Sequence, residues 1–284
     1  MADFASVTYY HHSGFTVSVK DTLLVFDYWR GEHGEVPQNM ALGPRDFADY
    51  SQILVFVSHD HEDHFDRVIY TWGKDKKLPI TYIISDDLPE DCEGRRVKPG
   101  KMLTVGDAEI RVFGSTDKGV SFWVMLNGIR VFHAGDLNMW HWREESTPRE
   151  IAKAEKEFYD AMAPIERLPI DIAMFPVDPR LGGMYEAGAN YFVMSAKPRL
   201  FIPMHWQGRP EVAQGFVRKG RTKYTEVLAL TKPRQRAELA FDEYQLDIHV
   251  FAADPADFGG GGEVQLDAYT RNDPFTDTDL PVKI

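Results

Sequence analysis

Ile53-Leu54-Val55-Phe56-Val57-Ser58-His59-Asp60-His61-Glu62-Asp63-His64 is the stretch on which the fold turns. Its first five residues are all apolar, the pattern of a strand buried on both faces rather than of a half-exposed strand with alternating character. The run then breaks into three histidines and two aspartates within six positions, in a chain with only ten histidines. Imidazole nitrogens and carboxylate oxygens are the usual donors to zinc, iron and manganese. A sharp turn after a strand lets side chains two apart converge, whereas a helix would not pair His59 with His61. A merely polar surface turn is the alternative reading, and it leaves the histidine density unexplained.

Working outward, Ser6 to Tyr10, Phe15 to Lys20 and Leu23 to Asp27 are β-rich runs separated by short turns, which predicts an antiparallel meander. Ile80 to Ile84 reads as a further strand, and β signals run from Met102 to Ala134. There Asn127-Gly128 between Val124-Met125-Leu126 and Ile129-Arg130-Val131 is a hairpin signal. Thr147-Pro148-Arg149-Glu150 supplies an N-cap, a first-turn proline and a capping-box glutamate for a helix to about Ile165. Beyond it strands at Asp171 to Val177 and Arg199 to Met204 alternate with helices at Tyr185 to Ala196 and Pro210 to Lys219. Two halves that each give strands and then helices fit an α/β fold. The expected form is a four-layer αββα sandwich of two mixed sheets with helices on the outer faces. Residues 1–270 are read as one domain and 271–284 as a polar tail.

Composition narrows the function. With 284 residues, 43% hydrophobic and 27% charged, the chain can bury a full core. The net charge of −12 disfavours sequence-independent binding to nucleic acid, which relies on Lys and Arg neutralising phosphates. A local exception is the basic stretch from Arg218 to Arg236, read either as a solvated face or as an anion contact. The N-terminus has neither a basic signal region nor an apolar run of membrane length, so a cytoplasmic protein is expected. The lone Cys92 has no cysteine partner and reads as a core or loop thiol.

His59-x-His61-x-Asp63-His64 after an apolar strand resembles the signature of the metallo-β-lactamase superfamily. Phe132-His133-Ala134-Gly135-Asp136 is similar to its strand ending in Gly-Asp, and Pro203-Met204-His205 to its last histidine. This resemblance implies that His59 and His61 serve one metal, that Asp63, His64 and His205 serve a second, and that Asp136 bridges both. His12-Ser13-Gly14-Phe15 followed by Leu23-Leu24-Val25-Phe26-Asp27 resembles the branch containing the L-ascorbate-6-phosphate lactonases. It would place His12 near the centre as a substrate contact and Asp27 behind the ligand loop, as an acceptor for a ligating histidine.

The pattern departs from the family at Gly114-Ser115-Thr116-Asp117, where Ser115 stands in place of an expected histidine. Either Asp117 swings in and favours a harder ion, or the His59 and His61 site is lost and a single ion remains on Asp63, His64, Asp136 and His205. One or two divalent ions are expected, zinc first and manganese or iron next.

A bound metal would lower the pKa of water and polarise a carbonyl or phosphoryl oxygen. Asp63 or Asp136 would accept the proton, and His133 or His141 would protonate the leaving group. Arg180, after the strand at Asp171 to Val177, is the expected clamp on an anionic group. The expected function is hydrolysis of an ester, lactone or phosphoester in a small anionic metabolite. The rival readings are a ribonuclease Z-like nuclease and a metal-binding scaffold or sensor without turnover. A flavodiiron oxidoreductase fits less well, since His61 stands where that group resembles a glutamate pattern. A homo-oligomer is compatible with the sequence.

Overall fold

The computed structural model describes residues 3–32, 34–74, 78–243 and 245–252, and these build two mixed sheets. The first opens with the antiparallel meander β1 (Asp3–His11), β2 (Gly14–Val19) and β3 (Thr22–Phe26). β4 (Gln52–Val57), β5 (Ile80–Ser85) and β6 (Arg95–Val97) extend it in parallel. The second sheet begins antiparallel with β7 (Met102–Val105), β8 (Ala108–Gly114), β9 (Val120–Leu126) and β10 (Ile129–His133). It turns parallel through β11 (Ile172–Pro176), β12 (Leu200–Met204) and β13 (Glu226–Val227). The chain then returns to the first sheet, where β14 (Arg236–Phe241) and β15 (Leu246–Phe251) add antiparallel beside β1. The expected sandwich of two mixed sheets is the fold observed.

The continuous apolar runs are explained by packing on both faces of a strand. In β3 and β4, Leu24, Phe26, Leu54 and Phe56 point into the core shared by the two sheets. Leu23, Val25, Ile53, Val55 and Val57 point the other way, into a second core. That outer core is closed by Phe47, by Ile69 and Trp72 of α1 (Ile69–Trp72), and by the buried Cys92. The hairpin between β9 and β10 has φ of 49° at Asn127 and 88° at Gly128, the pair of left-handed conformations that such turns require. The helix α2 (Pro148–Met162) starts where its cap predicts, with the Thr147 hydroxyl accepting from the Glu150 amide. α3 (Ala187–Ala196) and α4 (Pro210–Gly220) pack against β11 and β12 respectively.

Within the sequence regarded only as a basic stretch, the structure places β13, the turn at Arg234 and the start of β14. The domain end at 270 and the tail from 271 lie outside the described residues. Among those described, no helix is long and apolar enough to cross a membrane.

Parallel pairing sets the position of the site. β3, β4, β11 and β12 end at one rim, and the residues just past those ends are Asp27, Ser58 to His64, Asp178 and His205. The β1–β2 turn brings His12 to the same place, and the segment after β10 brings Asp136. Such a rim, at the carboxyl ends of strands, is where α/β folds gather ligand-binding loops.

Candidate metal centre

Four of the sequence-nominated donors surround Asp136. On one side of its carboxylate, Oδ1 lies 3.0 Å from His64 Nε2 and 3.2 Å from His205 Nε2. On the other, Oδ2 lies 3.4 Å from His59 Nε2 and 3.9 Å from His61 Nδ1. His59 Nε2 and His61 Nδ1 are 3.0 Å apart. Asp63 approaches the first group through His12, whose Nε2 is 3.2 Å from Asp63 Oδ2. Two donors each about 2.1 Å from one ion and tetrahedrally disposed lie about 3.4 Å from each other, so these separations suit shared coordination.

Hydrogen bonding points the same way. The buried atoms His12 Nε2, His64 Nε2, His205 Nε2 and Asp136 Oδ1 have no hydrogen-bond partner, although they crowd together. Leaving such groups unsatisfied costs about 1–3 kcal/mol each, so four in one place call for a ligand. The far sides of the rings are satisfied. His64 Nδ1 donates to Asp27 Oδ2 at 2.7 Å, and His205 Nδ1 donates to Asp178 Oδ2 at 2.8 Å. His59 Nδ1 donates to Ser58 Oγ at 2.8 Å, and that hydroxyl donates onward to Asp27 Oδ2 at 2.6 Å. In this network each of the three rings turns its Nε2 lone pair toward the common centre, the arrangement that carboxylates behind histidine ligands enforce. The donor chemistry therefore fits one or two divalent ions.

The backbone bends to make this possible. His12, Asp27 and His205 adopt φ of 52°, 41° and 61°, left-handed values that non-glycine residues hold only under tertiary constraint. Two glycines let the loops close. A Cβ on Gly119 would sit 2.0 Å from the Ser58 carbonyl oxygen, and one on Gly135 would sit 2.7 Å from that of Val120.

Charge follows from this crowding. Burial pushes the His205 imidazole down, but the Asp136 and Asp178 carboxylates outweigh it and leave the pKa at about 9 in the metal-free site. His64 is likewise opposed by burial and carried well above its ordinary value by Asp136 and Asp27. For Asp136 burial acts upward, yet His64 and His205 hold the carboxyl well below the usual range. For His12 burial is the largest effect and, with His205 acting in the same direction, lowers the imidazole to about 3, Asp63 opposing it only in part.

The other nominated residues divide between this group and its surroundings. His133 is sealed in the core, stacked on Phe26, with Nε2 donating to the Ser13 carbonyl at 2.9 Å and Nδ1 accepting from the Gly135 amide. His141 is also buried, and its nearest acid is Glu155 at 3.9 Å, outside the cluster. Arg180 is folded back on Asp178, through Nε at 2.9 Å and Nη2 at 2.6 Å, so it holds the carboxylate that holds His205. His12, expected as a substrate contact, joins the donors Asp63, His64 and His205. Within the basic stretch Lys219 pairs with Glu186, Arg221 with Glu226 and Arg236 with Glu238. Arg234 is buried against Asp46 and the carbonyls of Met40 and Ala41. Asp178 escaped sequence reasoning as a partner of His205, although, like Asp27, it is an acid just past a buried parallel strand. His33 lies outside the described residues.

An open cleft of about 530 Å³ leads to the centre, lined by His12, Trp29, Glu32, Asp60, His61, Glu62, Asp63, Lys118 and Gln207. Among the described residues lining it the one lysine, Lys118, is paired with Asp60.

Residues 6–155 match the Beta-lactamase superfamily domain. The chain belongs to this superfamily. A UPF0173 metal-dependent hydrolase of Opitutus terrae is 26% identical over 231 residues, covering 72% of this chain and 86% of that protein. Among solved structures, the metallo hydrolase Igni18 of Ignicoccus hospitalis superposes with a TM-score of 0.61 at 18% identity, over 84% of this chain and all of that one. YhfI of Bacillus subtilis, a metallo-beta-lactamase fold protein, gives 0.55 at 14% identity over 83% and 99%. At such identities the two structures speak for the superfamily fold alone.

Proposed function

We propose that this chain is a metal-dependent hydrolase that cleaves an ester, lactone or phosphoester bond in a small metabolite. The observation that carries the reading is the convergence of His64 Nε2, His205 Nε2, His12 Nε2 and Asp136 Oδ1, all buried and lacking hydrogen-bond partners. Membership of the superfamily and the printed name of the Opitutus terrae relative support the same reading.

His59, His61, Asp63, His64, Asp136 and His205 are assigned as ligands, with His12 as a further donor beside Asp63. A divalent ion in such a site supplies Lewis acidity and makes water acidic enough to attack at neutral pH. The chain's own residues do the rest. Asp27 and Asp178 orient His64 and His205, and Ser58 relays the same orientation to His59. Asp63, half-turned to the cleft, accepts the proton of the attacking water and returns it to the leaving group. His133 and His141 take no part in this proton path.

The cleft volume suits a small metabolite. Among the described residues its walls carry Glu32, Asp60, Glu62 and Asp63 against one paired lysine, which disfavours a second anionic group. The substrate is accordingly read as neutral away from the scissile bond, in place of the anionic metabolite expected from sequence. The test is a panel of small esters, lactones and phosphoesters, with neutral and carboxylated versions of each, assayed with metal-reconstituted protein. Turnover of neutral members that is lost in Asp63→Asn is the expected result. No turnover by fully loaded protein would overturn the hydrolase reading in favour of a metal-binding scaffold, and preference for the carboxylated members would overturn the substrate reading alone.

A further inference from the structure

We propose that Asp117 replaces the missing imidazole, giving a second metal site of His59, His61, Asp117 and Asp136 that takes a harder ion than the inner site does. The proposal rests on the assignment of His59, His61 and Asp136 as ligands made above. Its own evidence is the 114–119 loop.

Asp117 Oδ2 lies 3.9 Å from His61 Nδ1, which is itself 3.9 Å from Asp136 Oδ2, and these three form a group with ligand spacing. The loop is pinned on both sides of Asp117. Before it, the Thr116 hydroxyl donates to the Asn138 carbonyl and accepts from the Asn138 amide at 2.9 Å. After it, Lys118 is tied to Asp60, and Gly119 runs so close beneath Ser58 and His59 that no side chain fits there. Ser115 turns its hydroxyl back toward the Asp117 amide, 3.4 Å away. Residue 117 is therefore carried at the edge of the pair formed by His59 and His61, one carboxylate arm from the place a histidine at 115 would have filled.

The two sites then differ in chemistry. The inner one has imidazoles from His64 and His205, each almost fully buried and each backed by a buried carboxylate. The outer one has two imidazoles and two carboxylates, and its His61 and Asp117 side chains are 44% and 50% exposed. With His12 beside Asp63 the inner site offers three imidazoles to two carboxylates, so the larger share of oxygen donors at the outer site shifts preference from zinc toward manganese or iron(II), and exposure makes the ion exchangeable. Two unequal sites are the consequence.

Equilibrium dialysis of metal-free protein against buffered Mn²⁺ or Zn²⁺, with metal content measured by atomic emission, reads this without an activity assay. The unaltered protein should bind two ions in separate steps, the weaker step filled by Mn²⁺ and emptied by a mild chelator. Asp117→Ala should weaken that step by more than the roughly 10- to 100-fold typical of outer-shell changes and leave the first step unchanged, which also reports intact folding. Asp117→His should restore it with the preference moved toward Zn²⁺. One equivalent bound at all metal concentrations, or a second step indifferent to Asp117→Ala, would overturn the proposal. Because binding and turnover are read separately, two bound ions without hydrolysis would count against the proposed function and not against Asp117.

Discussion

Replacing Asp178 with asparagine tests whether the carboxylates behind the histidines tune the centre. Asp178 Oδ2 accepts from His205 Nδ1 at 2.8 Å, and both side chains are almost fully buried. Asparagine keeps the shape and an acceptor oxygen but loses the charge, so a charge-assisted bond worth about 1.5–3 kcal/mol is weakened. In metal affinity, loss of such a partner costs roughly 10- to 100-fold. Protons modify this at neutral pH. Metal-free His205 has a pKa of about 9. At pH 7, two units below that pKa, an ion must therefore displace a bound proton, a competition worth about 3 kcal/mol. Asp178 contributes to holding that proton, so in Asp178→Asn the competition falls along with the intrinsic affinity. The deficit against the unaltered protein should be small near pH 7 and approach its full size above pH 9, where His205 is already neutral. Competition with a chromophoric chelator at pH 7 and pH 9.5 measures it, and Arg180, already 53% exposed, can turn to solvent without a large folding cost. An equal deficit at both pH values, or none at either, would refute the coupling between Asp178 and His205.

Two further outcomes follow from the same coordinates. Chelator-treated protein should lose stability as pH rises from about 6.5 to about 9. His205 is raised on folding, so its contribution, up to about 3 kcal/mol, is present below the unfolded pKa and lost through the folded one. Urea midpoints across that range, with and without metal, check this, and a midpoint that climbs with pH in the metal-free protein would contradict it. Arg234→Met should destabilise the fold by about 3–5 kcal/mol, since it strands Asp46 and two carbonyls that the 8%-exposed guanidinium now satisfies. A loss under about 1 kcal/mol in urea unfolding, or a changed KM at retained stability, would show that the basic stretch has a role at the site after all.

The centre was partly legible because many of its donors are local. His59, His61, Asp63 and His64 fall within six residues, and the apolar run before them announces a buried strand end. Asp136 and His205 could be added only through the resemblance of their flanking motifs. His133 was misplaced because adjacency in sequence to Asp136 says nothing about direction, and alternation along β10 turns its ring inward onto Phe26. The edge strands β6 and β13, of three and two residues, are too short for a periodic signal, whereas β14 and β15 do alternate apolar and polar residues and were legible in principle.

Sequence by itself determined the layered α/β architecture, the hairpin at Asn127-Gly128, the capped start of α2 and the histidine turn, since each depends on contacts within a few residues. Tertiary structure decided which side chains face one another across strands. The register that sets Phe26 beside Phe56 brings Asp27 to His64, and the one that sets Pro176 beside Met204 brings Asp178 to His205. It also turned Arg180 from a clamp into a brace and carried Asp117 to His61. A parallel register is fixed by the packing of both faces at once, over separations of tens of residues, and no local pattern encodes it.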